Sequence, residues 1–179
     1  MRGIRLCIML NFICFFGACT EGDLQTVNSV DLVRYSGTWY EIARFPNKFQ
    51  KKCLKSKALY SLSEKSLLTV ENSCTTGNGS PKKVLGVARV KDHNSKAKLE
   101  VNFAPSWLRW FGLGWGKYWI IELDNEAYEY AVVSEPTRTY LWLLSRKPSM
   151  HKKIYEDILA RLKNKGFDVK QLILSGSLD

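Results

Sequence analysis

Between residues 37 and 146, short segments of alternating apolar and polar residues recur, each closed by a turn signal. No other feature of the chain restricts its fold as tightly. Alternation places successive side chains on opposite faces of a strand. Strands are expected over 37–45, 57–62, 67–74, 84–91, 97–103, 117–123, 128–134 and 139–146. The breaks between them are rich in Gly, Pro, Asn, Asp and Ser, as in Thr75-Thr76-Gly77-Asn78-Gly79-Ser80-Pro81. Eight short, evenly spaced strands suit a mainly-β fold, an antiparallel up-and-down β-barrel. Such a barrel removes sheet edges and can hold one small ligand.

After Arg146 the period changes. Met150, Ile154, Ile158 and Leu162, with Tyr155 and Leu159, form a stripe at helical spacing. A helix N-capped by Ser149 and stopped by Gly166 should therefore lie against the outside of the barrel. Residues 167–172 then return as a short extra strand. Ahead of the barrel, residues 30–35 are expected to make a short helical turn that plugs one end.

The first strand carries the sharpest signal. Tyr40 and Ile42 fall on one face; Trp39, Ala43 and Phe45 fall on the other, interior face, which by the same parity also takes Glu41. Gly37 admits a backbone path that a Cβ would block. Trp39 brings an indole N–H that needs a partner once buried. Gly37-Thr38-Trp39-Tyr40, followed by Tyr128-Glu129-Tyr130-Ala131-Val132-Val133 and Tyr140-Leu141-Trp142-Leu143-Leu144-Ser145-Arg146, resembles the three motifs of the lipocalin family. The pairing of first and third motifs is similar to that of the bacterial, lipid-anchored lipocalins. The resemblance runs over residues 30–174 and implies that Arg146 packs over Trp39 at a closed end of the barrel.

Arg2 and Arg5 precede an apolar run from Leu6 to Phe16 that is too short to span a bilayer. This is the pattern of a secretory signal. Gly17-Ala18-Cys19 resembles the lipobox of bacterial lipoproteins, which implies a signal peptide over 1–18 and an acylated Cys19. Phe16 departs from the usual aliphatic residue, and ordinary signal cleavage with a free Cys19 is the competing reading. Residues 19–29 then form a tether, 30–174 the domain and 175–179 a tail. Thr20, rather than Asp, follows the cysteine; by analogy with sorting in enteric bacteria, this implies lipid anchoring at the outer membrane, facing the periplasm. Cys7 and Cys14 leave with the signal. The remaining pair, in an oxidising compartment, is expected to form a Cys53–Cys74 disulfide.

The chain has 27 basic and 17 acidic residues, a formal net charge of +10. A basic chain raises the question of nucleic acid, but a secreted, membrane-anchored protein meets anionic lipid instead. By alternation the interior receives Phe45, Tyr60, Val70, Val101, Tyr118, Ile120, Tyr130, Tyr140 and Trp142, together with Tyr128 and Val132. A mostly apolar lining suits an acyl chain, so the expected ligand is a fatty acid or lysophospholipid. The competing reading is that these side chains fill the barrel solid.

The end opposite Trp39 and Arg146 gathers Lys48, Lys51, Lys52, Lys55, Lys57, Lys82 and Lys83. It also holds the segment 106–115, with Trp107, Arg109 and Trp110. Tryptophan beside cations suits a membrane interface, and this segment is expected to face an anionic leaflet. The same residues would equally serve as a lid over the cavity or as a homodimer contact. His93 and His151 are the only histidines, and neither is placed to serve a nucleophile. No metal or other cofactor is expected. A binding protein is thus the leading reading; a lipid-modifying or isomerising enzyme on the same barrel is the alternative, and would need a free thiol or a specific acid in the cavity.

Overall fold

A computed structural model describes residues 23–63 and 67–179; the signal segment 1–18 and Cys19 lie outside the described residues. Eight antiparallel strands follow in chain order: β1 (Gly37–Arg44), β2 (Cys53–Leu62), β3 (Leu67–Thr76), β4 (Pro81–Val90), β5 (Lys98–Asn102), β6 (Trp115–Leu123), β7 (Tyr130–Ser134) and β8 (Leu141–Ser145). Each pairs with the next, and β1 also pairs with β8 through Tyr40↔Ser145 to Arg44↔Trp142, which closes the barrel. The short helix α1 (Leu32–Tyr35) is capped by the Asp31 carboxylate and buries Leu32 and Tyr35 in the end of the barrel where β1 begins. β2 and β3 are longer than alternation suggested. They pair from Cys53↔Thr76 onward, so Lys55 lies in a strand rather than a loop.

The chain builds two apolar clusters. One fills the inside of the barrel around Trp39, Tyr35, Leu68, Ile120 and Val133. The other lies outside, between the sheet and helix α3 (Lys152–Asn164), around Ile42, Phe45, Val132, Leu143, Ile158 and Leu162. Irregular pairing divides residues between the clusters in a way that strict alternation misses. A bulge between Glu41 and Ala43 sends Ile42 and Ala43 both outward. Phe45 consequently sits in the outer cluster, edge-to-face with Phe167 at 6.2 Å, and does not face the interior. Tyr128 has φ +57°, and β7 starts only at Tyr130, so Ala131 and Val133 point in while Tyr130 and Val132 point out. The Tyr130 hydroxyl accepts from Arg161 of α3.

The C-terminal segment also departs from expectation. Ser149 and Met150 form β9, which pairs in parallel with β11 (Ser177–Leu178), so the helix starts later and is capped by His151. Residues 175–179, expected as a tail, are thus tied into structure. Gly166, at φ +84°, lies just beyond the end of α3. The extra strand is β10 (Ile173–Leu174), paired to Ala43 and Arg44 of β1. Residues 167–172 do not form it: Phe167 and Leu172 pack into the outer cluster, and Asp168 caps a 3₁₀ turn at Val169–Gln171.

Candidate functional site

The barrel is packed solid at one end and hollow at the other. At the closed end the Arg146 guanidinium lies 3.8 Å from the centre of the Trp39 ring. It donates to the carbonyls of Thr38, Arg34 and Tyr128. The Trp39 indole N–H donates to the Tyr35 carbonyl at 2.8 Å. Gly37, at φ +98°, lets β1 pass beneath the arginine; a Cβ there would lie 3.3 Å from its Nη1.

Above this plug lies a cavity of about 860 Å³. Its floor is built from phenols. The Tyr118 hydroxyl accepts from Tyr60 at 2.9 Å and bonds to the Tyr35 hydroxyl at 2.8 Å. Burial pushes the Tyr60 phenol up to about 12, and desolvation likewise raises Tyr35 and Tyr118 well above the ordinary tyrosine range. All three therefore stay neutral at physiological pH. Tyr60, Val70, Val101, Tyr118, Tyr140 and Trp142 line the cavity. Ile120 does not: it is fully buried in the packed half of the barrel, below the tyrosines. Of the residues expected to line the interior hollow, Phe45 and Tyr130 lie outside the barrel for the reasons given above.

One wall carries a polar latch. Glu41 is 5% exposed and accepts from Arg44 at 2.9 Å, from the Gln50 amide at 2.6 Å and from Ser175 at 2.7 Å. Gln50 in turn accepts from the Trp142 indole N–H and from Asn47, each at 2.9 Å. The connection between β1 and β2 is thereby held over the mouth. The Cys53–Cys74 disulfide fixes its far end, with the two Cα atoms 5.6 Å apart. Glu41 was placed inside by alternation, but nothing in the sequence singled out Gln50. It is a polar residue among lysines, and its role depends on a contact 92 positions away.

Four lysines, Lys48, Lys57, Lys82 and Lys117, line the mouth of the cavity. Among the described residues none of them forms an ion pair with a carboxylate. Lys117 is the one that the basic-loop pattern did not reveal, because it sits in strand β6. The connection between β5 and β6 carries the short helix α2 (Ser106–Trp110), which buries none of its residues. Trp107, Arg109 and Trp110 all belong to it, and none of them lines the cavity. Among the described residues no group of His, Cys, Asp and Glu could hold a metal ion, and no helix is long and apolar enough to cross a membrane.

Comparison with known proteins agrees with this architecture. A family model described as a lipocalin-like domain matches residues 30–176. The chain is 38% identical over 151 residues to the outer membrane lipoprotein Blc of Escherichia coli K12, covering 84% of this chain and 81% of that protein. It is 34% identical over 153 residues to temperature-induced lipocalin-1 of Arabidopsis thaliana, with 84% and 81% covered. Among solved structures, insecticyanin from the tobacco hornworm Manduca sexta superposes with a TM-score of 0.68 at 19% identity, covering 88% of this chain and 90% of that one, a likeness of fold.

Proposed function

Because the chain belongs to the lipocalin family and is of the Blc type, we propose that it carries a single-chain amphiphile, a fatty acid or a lysophospholipid, in the open half of its barrel. Family membership sets the broader class: a protein that binds and moves small hydrophobic molecules, not an enzyme. The finer reading rests on one observation, an apolar hollow with a cationic rim. Its volume of about 860 Å³ falls in the roughly 300–1,000 Å³ range of small-molecule sites. Val70, Val101, Phe103 and Leu144 offer an acyl chain an apolar wall. At about 0.8 kcal/mol per buried methylene, roughly ten methylenes give about 8 kcal/mol, which corresponds to micromolar binding. Lys48, Lys57, Lys82 and Lys117 stand where the head group would emerge and favour a carboxylate or phosphate.

The same proposal places the protein on a membrane. Acylation of Cys19 after removal of residues 1–18 would anchor the barrel stably, since two or more acyl chains suffice for that; the tether is shorter than the expected 19–29, because Leu24 is buried in the outer cluster and the Val27 N–H donates to the Ile120 carbonyl at 3.0 Å. The outer membrane, with the barrel in the periplasm and a role in maintaining the envelope, is supported by Thr20 beside the cysteine and by the kinship with Blc.

Displacement of a fluorescent fatty-acid probe tests the cargo. Palmitate and lysophosphatidylglycerol are expected to displace it at one site per chain, and Val70→Trp, which fills the hollow, to abolish binding while leaving the fold intact. Failure of the parent to bind the probe or any single-chain lipid would overturn the reading. Native mass spectrometry of the protein taken from its own membrane would then identify the cargo.

A further inference from the structure

The connection between β5 and β6 exposes an unusual amount of apolar surface for its length. Trp107 is 63% exposed, Trp110 87% and Phe111 71%. Monomeric proteins rarely leave such a patch uncovered without a use for it. Nor is the segment loose. The Asn102 side chain, fully buried, accepts from the Ala104 N–H at 2.8 Å and donates to the Leu113 carbonyl at 2.7 Å. One amide thus ties both ends of the connection, and the rings stand on a fixed platform. A lid would turn these rings into the hollow, but none of the three lines it.

Charge identifies the partner. At the same open end lie Lys48, Lys51, Lys52, Lys82 and Arg109, none of them in an ion pair among the described residues. Phe49, itself exposed, sits in the same rim with the Lys48 ammonium 5.6 Å from its ring centre. The turn carboxylates Asp92, Asp124, Glu126 and Glu129 lie at the opposite, closed end. At that end they are mixed with Arg34, Lys91, Lys96 and Lys147, whereas at the mouth cations outnumber the one acid of its connections, Glu135, so the excess of positive charge lies with the indoles. Tryptophan sits well at the head-group level of a bilayer, and neighbouring lysines add attraction to anionic lipid.

We infer that the mouth of the barrel docks face-down on an anionic lipid bilayer, with Trp107, Trp110 and Phe111 entering the interface and the surrounding lysines meeting lipid phosphates. A lipid would then pass between leaflet and cavity without crossing open water. Docking stands independently of the cargo; its use in loading rests on the lipid-carrying reading above.

The test uses the chain from Thr20 onward, which contains every element of the barrel and lacks Cys19. Flotation is compared on vesicles of phosphatidylcholine alone and of phosphatidylcholine mixed with phosphatidylglycerol. The parent is expected to float with the anionic vesicles and to be released by salt. Trp107→Ser/Trp110→Ser/Phe111→Ser should bind them roughly tenfold more weakly, and Lys51→Glu/Lys52→Glu should lose the preference for anionic lipid. Probe displacement, measured in parallel, should be unchanged in both variants. Flotation of the triple variant equal to the parent would overturn docking. So would sedimentation showing a parent dimer that the triple substitution splits while flotation is unaffected, because the rings would then be covered by a second copy. A parent that floats but binds no probe would leave docking standing and remove the cargo.

Discussion

Replacing Tyr118 by phenylalanine removes one oxygen atom from the floor of the cavity and leaves the ring packing intact. That oxygen is the hub of two hydrogen bonds, 2.8 Å to Tyr35 and 2.9 Å from Tyr60. Each such bond contributes about 1 kcal/mol net, and a buried donor left without an acceptor costs a further 1–3 kcal/mol or so. Tyr35 is buried in the plug, but Tyr60 borders the hollow, where water can take over part of the lost bonding. The expected destabilisation is therefore about 2–3 kcal/mol. Adding Tyr60→Phe removes the stranded hydroxyl, so the double variant should lose less than the two single losses combined. Equilibrium urea unfolding with the disulfide intact, followed by tryptophan fluorescence, reads both quantities. A Tyr118→Phe loss below about 0.5 kcal/mol, or strict additivity in the double variant, would show that the phenols are neighbours without being a network.

The same phenols predict sensitivity to base. Their folded pKa values are all raised, mainly by desolvation, so their contribution is complete below about pH 10 and declines as pH rises, for Tyr60 through about 12. For Tyr60 alone, the shift from 10.0 to about 12 corresponds to roughly 3 kcal/mol, to be read from urea midpoints across that window; a flat profile would refute it. Glu41→Gln should cost about 3–5 kcal/mol, because it strands the buried Arg44 guanidinium, and should change the fluorescence of Trp142 through Gln50. Arg146→Met should cost about 2–4 kcal/mol by removing the cation over Trp39 and the donors to three carbonyls; probe affinity should hold, since the plug lies away from the hollow. Cys53→Ser/Cys74→Ser should lower stability by ~3 kcal/mol, and the parent from Thr20 onward should show no reactive thiol when denatured without reductant.

Alternation along the chain sufficed to place the eight strands and their order, because a half-buried strand writes its faces into its sequence. It failed where a strand changes face partway along. Phe45 follows the bulge at Glu41–Ala43, and Tyr130 follows the left-handed Tyr128; a single irregular residue moves every later side chain to the other cluster. Ser149 has the chemistry of an N-cap, yet its backbone is taken by pairing with Ser177, a contact no local pattern announces. Residues in regular stretches of strand, such as Tyr60 of β2 and its partner Val70 of β3, were legible as lining. Gln50 and Lys117 were not, since one acts through distant partners and the other is an unremarkable surface lysine until the barrel closes.

The division of labour between the plug and the outer helix has an evolutionary corollary. Cohesion resides where Trp39, Ile120, Ile158 and Leu162 are sealed away, so the upper chamber is spared the task of holding the molecule together. Side chains there can be exchanged to suit a differently shaped guest, and the container would survive the change.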